Sequence, residues 1–273
     1  MHRYDFKAHR LFVRAGLAPG VRVELDRGQV NYLVNVLRMK DGDDLIVFNG
    51  RDGEWRASLA TEGRRVQGLL VGAMVRSQPA ASDLHYIFAP LKQARIDYMV
   101  EKAVVMGVAR LRPVITQHGQ VGRINRERME ANAIEAAEQC GILAIPAIDE
   151  LASLADLVEG WTLAEGDRRI VFCDEDHEAG DPHDVLARLA PSPVALLVGP
   201  EGGFSEDERA GLLARPFVTP ISLGPRILRA DTAAVAALAL VQAALGDWKN
   251  AVSAPSDAGR PSSGPESMAE IAG

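Results

Sequence analysis

An α/β domain built on a parallel sheet, preceded by a small, mostly β domain, is the architecture this sequence predicts. Three observations point to it. From residue 84 onward, strand-like and helix-like runs alternate, as in chains whose parallel strands are joined by helical crossovers. Two strand-like runs, "IVF" at 170–172 and "VALLV" at 194–198, are apolar without a break, the pattern of strands buried on both faces. The first 75 residues are instead short β-prone runs separated by Asn-Gly and Asp-Gly turns.

At 273 residues and 47% apolar content, the chain can bury the core of one large or two modest domains. No apolar run reaches the roughly 18 residues of a membrane span, and Met1–Arg14 is too charged for a signal peptide. Cys140 and Cys173 form no CxxC pair and are too few for a disulfide framework, so a cytoplasmic protein is expected. The net charge of −7 conceals an asymmetry: residues 1–130 hold 21 Lys and Arg against 14 Asp and Glu, and residues 131–273 hold 9 against 23. A basic N-terminal half facing a polyanion is one reading, and ordinary solvated surface is the other.

In order along the chain, "RVELD", "DLIVFNG", "EWRASLA" and "VQGLLVGAMV" read as strands, with turns at "KDGDD" and "NGRDGE". Only "QVNYLVNVLRM" has helical spacing, placing Val30, Leu33, Val34 and Leu37 on one side. A small β-barrel with one helix over residues 1–75 follows. "RSQPAASD" is a linker, and the α/β domain runs over 83–248. Its strands are "LHYIFAP", "RLRPVIT", "RIVFCDE", "VALLVG" and "FVTPISLG". Its helices are "QARIDYMVEKAVVMGV", ended by Gly107, "RERMEANAIEAAEQCG", ended by Gly141, then "PHDVLARLA", "SEDERAGLLA" and a long final helix. Residues 249–273 are rich in Ser, Pro, Gly and Ala and predict a disordered tail.

Open parallel sheets bind ligands beyond the carboxyl ends of their strands, and three strand ends carry unusual residues: "FCDED", "VGPEGGFSEDE" and "SLGPRILRADT". In Gly199-Pro200-Glu201-Gly202-Gly203-Phe204 the glycines let backbone approach a ligand closely, and Ser205 with Glu208 forms a capping box. Neither GxGxxG nor GxxxxGK[ST] occurs, which argues against dinucleotide and phosphate-loop sites. Leu223-Gly224-Pro225 offers a second bend, with Asp231 or Thr232 as cap of the final helix. Of the two arginines between them, Arg226 is the better candidate for a buried loop-structuring role and Arg229 for an anionic substrate. "DEDHEAGDPH" brings Asp174, Asp176, His177 and His183 together, but at no zinc spacing, so no metal is expected.

"GPEGGFSEDE" followed by "SLGPRILRADTA", with "QARIDYMVEKAVVMGV" and "ANAIEAAEQCG" upstream, resembles the RsmE family of SPOUT methyltransferases over about residues 9–247. The resemblance implies S-adenosylmethionine-dependent methylation of uridine N3 in small-subunit (16S) ribosomal RNA. It also implies a C-terminal trefoil knot holding the cofactor bent, a homodimer packed near it, and an N-terminal PUA-like barrel that helps hold RNA. A knot is not something periodicity predicts, because ordinary folds avoid threading. "HRLFV" and "NYLVNVLRMKDGD" agree with the family, whereas Asn31, Val105 and Ile142 depart from it, the family often having His, Glu and Arg there.

On that likeness, Arg229 stabilises the uridine imide anion, and Glu201 is either proton acceptor or loop brace. Cofactor contacts fall on Phe172, Cys173, Gly199, Pro200, Glu201, Gly202, Gly203, Leu223, Gly224, Arg226, Ile227, Leu228 and Thr232. RNA contacts fall on Arg10, Arg14, Arg38, Lys92, Arg95, Arg123 and Arg126. The final helix, apolar at every position from Ala233 to Val241, is either centrally buried or a dimer seam. Two alternatives stay open: an enzyme of the same scaffold acting on another RNA or base, and a non-catalytic ribosome assembly factor.

Overall fold

The unbroken apolar strands are buried on both faces. The computed structural model describes residues 8–248 apart from 64, 81, 177–179, 190 and 191, so the tail 249–273 and His177 lie outside the described residues. The larger sheet runs β12-β10-β11-β6-β7-β8 and is parallel throughout. Its strands are β6 (Leu84–Phe88), β7 (Arg110–Ile115), β8 (Ala147–Ile148), β10 (Arg169–Cys173), β11 (Val194–Val198) and β12 (Val218–Ile221). A further short strand, β9 (Ala152–Ser153), pairs with the end of β7.

Alternate residues of each strand enter different cores. Leu196 and Val198 of β11 and Tyr86 and Phe88 of β6 pack with α2 (Gln93–Val105), α3 (Arg126–Cys140), α6 (Pro182–Ala187) and α8 (Ala230–Ala244). Ala195 and Leu197 of β11 and Ile87 of β6 pack on the other face with α4 (Leu154–Glu159), α5 (Trp161–Glu165) and α7 (Glu206–Leu213). Each fully buried Leu, Ile or Phe contributes about 1.5–3 kcal/mol. The region 147–165, left without elements by sequence reading, holds β8, β9, α4 and α5, each six residues or shorter and without a long period to detect.

The N-terminal unit is a five-stranded sheet, β1-β3-β4-β5-β2, comprising β1 (Arg10–Phe12), β2 (Arg22–Val23), β3 (Asp44–Phe48), β4 (Glu54–Glu62) and β5 (Arg65–Arg76). Its own core gathers Leu11, Val13, Leu33, Val47, Trp55 and Leu69. The expected single helix is divided: α1 (Arg27–Asn31), closed by an Asp26–Gln29 capping box, passes into a π-helical turn at Tyr32–Val36. The pattern stops where Arg38 turns left-handed, at φ 57°. "RVELD" shrinks to two strand residues because Asp26 is spent capping α1.

The two units are docked on one another. Phe12 N–H donates to Glu138 Oε1 on α3 at 2.8 Å, and Arg76 Nη2 donates to the Gly141 carbonyl at 2.7 Å. The Phe12 and Phe48 rings meet edge-on at 5.6 Å. Arg10, expected at an RNA surface, is instead buried, its Nε 3.0 Å from Glu54 Oε1, while Arg76 reaches the other oxygen of Glu54 at 3.1 Å. Two guanidiniums share this buried carboxylate and compensate its burial, so Arg10 belongs to the frame of the sheet.

At the amino ends of β6, β10 and β11 a polar cluster fastens the opposite pole of the large sheet. Arg168 bonds Glu165, the Asp83 carbonyl and the Val194 carbonyl. Arg112 pairs with Glu165, and its guanidinium lies 5.1 Å over the Trp161 ring. His85, 7% exposed, stands 3.5 Å from Glu165. Burial first, then the Arg168 charge, pulls its pKa from 6.5 down to about 4. A depressed folded value means the unfolded chain takes up the proton first, so this stability is intact above pH 6.5 and lost as pH falls toward about 4. Between pH 7.5 and 5.5 the expected loss is about 1.4 kcal/mol. Urea unfolding at both pH values measures it, and His85→Gln should flatten the dependence; equal slopes in the two proteins would refute the assignment.

Candidate ligand-binding site at the carboxyl ends of three strands

Parallel alignment brings the ends of β10, β11 and β12 to one edge, and the loops that follow enclose an open cavity of about 820 Å³, mouth included. Val198, Pro200, Phe204, Leu223, Ala230 and Ala233 supply apolar wall. Asp174, Glu175, Asp176 and Glu201 supply carboxylates, and Arg209 and Arg226 guanidiniums. Ile227, on the rim, is 94% exposed.

The loop after β11 has its shape for steric reasons. A Cβ on Gly199 would lie 2.5 Å from the Phe204 ring, so only glycine leaves room for that ring. Phe204 rests edge-on against Phe172, ring centroids 5.1 Å apart. Gly203 closes a turn onto the Pro200 carbonyl at 3.0 Å with φ 68°. Ser205 and Glu208 then form the capping box of α7, and the other oxygen of Glu208 accepts the Gln117 N–H at 2.8 Å, tying in the loop after β7. His118 Nδ1 meets the Gly202 carbonyl at 3.0 Å.

The acidic loop after β10 is fastened by a long-range pair. Asp174, buried, receives Arg209 of α7 through both oxygens at 3.0 Å, and the Asp174 N–H donates to the Ile221 carbonyl of β12. Asp174 is thus committed to a guanidinium, while His183 stands exposed in the first turn of α6. Among the described residues, no group of His, Cys, Asp and Glu is placed to hold a metal ion. Cys173 borders the cavity as a neutral group, since burial pushes its thiol up to about 12.

At the third loop Arg226 is not the buried, loop-structuring arginine that was expected. Arg226 is exposed and lines the cavity, whereas Arg229 stands outside the lining with Nη2 2.9 Å from Asp231 Oδ2. Neither Asp231 nor Thr232 is the cap of α8: the helix starts at Ala230, Arg229 is the N-cap residue without a side-chain bond, and both lie in the first turn. Asp231 Oδ1 takes the Thr232 N–H at 2.8 Å. Arg95 of α2, expected at RNA, pairs with Glu201, and its Nε lies 3.9 Å from Asp231 Oδ2.

Of the expected cofactor contacts, Phe172, Gly202 and Thr232 do not line the cavity. Phe172 lies in the core beneath Phe204, Gly202 packs on His118, and Thr232 faces outward. Sequence reading missed Asp174, Glu175, Asp176, Val198, Phe204, Arg209, Ser222, Ala230 and Ala233 in the lining. Phe204 and Ser222 lie inside the strand-end stretches singled out in the sequence and were within reach, but Arg209 joins the site through a partner 35 residues away. Arg14, Arg38, Lys92, Arg123 and Arg126 are exposed; Arg14 pairs with Glu130, and Arg126 with Glu150.

Residues 78–242 match the family model described as an RNA methyltransferase domain, and residues 25–67 match an RNA methyltransferase PUA domain. The chain is 31% identical over 238 residues to ribosomal RNA small subunit methyltransferase E of Rickettsia conorii, a match covering 86% of this chain and 96% of that protein. A methyltransferase of Legionella pneumophila, solved with bound cofactor SAM, is 30% identical and superposes with a TM-score of 0.75 over 87% of this chain and 98% of that one. The ribosomal RNA small subunit methyltransferase E of Neisseria gonorrhoeae, bound to S-adenosyl methionine, shares the fold at TM-score 0.75 with 22% identity over 88% of this chain and 99% of that one.

Gly199→Ala forces the Phe204 ring off the cavity wall. The expected cost is about 1–3 kcal/mol, typical of overpacking, read by urea denaturation; a variant as stable as the parent would contradict the tight Gly199–Phe204 approach.

Proposed function

The chain belongs to the RNA methyltransferase family, and from that membership we propose that it uses S-adenosylmethionine to methylate N3 of a uridine in 16S ribosomal RNA. The cavity formed by the loops after β10, β11 and β12 is the observation that carries this reading. The cofactor bears a sulfonium, an ammonium and a carboxylate beside an adenine. The residues present fit those groups: Glu175 and Asp176 offer charge to the cations, Arg226 to the carboxylate, and Leu223, Leu228 and Ala233 an apolar slot for a flat ring.

When bound, the cofactor supplies an electrophilic methyl carbon, and no metal or covalent enzyme intermediate is required. The chain's own part is alignment and charge. Backbone at Gly199, Pro200, Glu201, Gly203, Leu223, Gly224, Ile227 and Leu228 holds the donor. The guanidinium of Arg229 stabilises the negative charge that spreads onto the uracil carbonyls as N3 gives up its proton to solvent. Glu201, taken up by Arg95, braces its loop. Arg14, Arg38, Lys92, Arg123 and Arg126 contact RNA phosphates, which makes binding weaken with salt. The strand order supports the family's trefoil knot in the segment from β10 to α8.

A homodimer completes the reading. Thr232, Val235, Ala236, Ala239 and Ala243 recur at helical spacing on the face of α8 turned from its core, small and partly or fully exposed, and suit close packing against a second copy. Among the described residues no helix is long and apolar enough to cross a membrane, and we place the protein in the cytoplasm with the ribosome.

Mapping of modified nucleotides by mass spectrometry in 16S ribosomal RNA from cells lacking the gene tests the function: a missing methyluridine is expected, and an unchanged map sinks the assignment. Arg229→Ala should abolish transfer while calorimetry finds cofactor affinity within about tenfold, or 1.4 kcal/mol; turnover at the parent rate would overturn its role. Ala239→Glu should convert the dimer to monomer by analytical ultracentrifugation, and an unshifted sedimentation coefficient would place the seam elsewhere.

A further inference from the structure

Arg229 is engaged with Asp231 rather than turned into the cavity, so it must release a buried carboxylate before it can reach a substrate. Asp231 is 9% exposed, and its Oδ1 is bound to the Thr232 N–H at 2.8 Å, so the carboxylate is anchored to the first turn of α8 and cannot follow Arg229 outward. Leaving such a group unpaired would hold Arg229 back, because a buried charge without a partner is strongly disfavoured.

A second guanidinium already stands at the same oxygen. Arg95 Nε is 3.9 Å from Asp231 Oδ2, one ångström beyond the 2.9 Å pair made by Arg229, and the other end of its fork is on Glu201. Arg95 projects from the first turn of α2, a helix packed directly on α8, so its position is set by two rigid elements. The planar fork of Arg can hold two carboxylates at once, as a single ammonium cannot with the same geometry.

We propose that Arg95 is a positioning residue that takes over Asp231 when Arg229 turns to the substrate. The exchange is a partner swap without bond-making: Asp231 keeps one cation throughout, Arg229 gains its freedom, and Arg95 keeps the loop after β11 registered to the loop after β12 through Glu201. This inference rests on the methyltransferase reading and on Arg229 serving the substrate anion.

The test uses the full-length protein with 16S ribosomal RNA and S-adenosylmethionine, measuring kcat, KM for RNA and cofactor affinity separately. Arg95→Met is expected to lower kcat by about tenfold or more while cofactor affinity stays within about threefold and the melting temperature is held. Arg95→Lys should recover part of the rate, since a cation remains near Asp231. Combined with Arg229→Lys, Arg95→Met should add less than about twofold, the non-additivity of residues acting as one unit. A parent-like kcat in Arg95→Met, rate losses that multiply in the double variant, or a loss confined to cofactor affinity would each overturn the proposal. If the parent protein itself neither binds the cofactor nor transfers methyl, the functional reading falls and takes this inference with it; an active parent with an indifferent Arg95 removes the inference alone.

Discussion

The parallel alignment of β6, β11, β10 and β12 is the constraint on which the rest of the molecule depends. Parallel pairing sends every strand's carboxyl end to the same edge, so loops far apart in sequence share one rim. It also requires burial of both sheet faces, which is why the strands are apolar without alternation and why helices cover both sides. The apolar interior fixes the strand ends, and the strand ends fix where the loops start.

Beyond the packing of Phe204 on Phe172, charged side chains reaching between elements restrain the glycine-rich loops. Asp174 ties the β10 loop to Arg209 of α7, Glu208 ties α7 to the β7 loop, and Arg95 ties the β11 loop to α2 beside Asp231. Exposed pairs of this kind contribute little stability. Asp174 and Asp231 are buried, however, and a buried carboxylate is strongly disfavoured without its cation, so these pairs specify geometry more than they add free energy.

The two ends of the large sheet carry different chemistry. At the amino end, His85, Arg112, Glu165 and Arg168 form a buried cluster joined by ion pairs, with Arg112 over the Trp161 ring. At the carboxyl end, Glu175, Asp176 and Arg226 line an open cavity with their charges unspent on one another. The first arrangement stabilises, and the second can respond to a ligand. The N-terminal sheet joins them indirectly, since its contact with α3 fixes the basic half of the chain relative to the same rim.

The sequence by itself determined the two-part α/β architecture, the capping box at Ser205 and Glu208, and the two glycine-bearing bends, because periodicity, turn chemistry and helix caps act within a few residues of chain. It also pointed to the cavity through motifs contiguous in sequence, from Gly199 to Gly203 and from Leu223 to Leu228. Only the tertiary structure decided which charges serve the site. Arg10 reads as a surface cation until Glu54 is found against it, Arg226 reads as buried but is exposed on the cavity, Arg229 is found paired with Asp231, and Arg209 and Arg95 enter through partners on other elements. A long side chain's meaning is set by the partner it meets across the fold, and Coulomb attraction over a few ångströms carries no trace in the local pattern of residues.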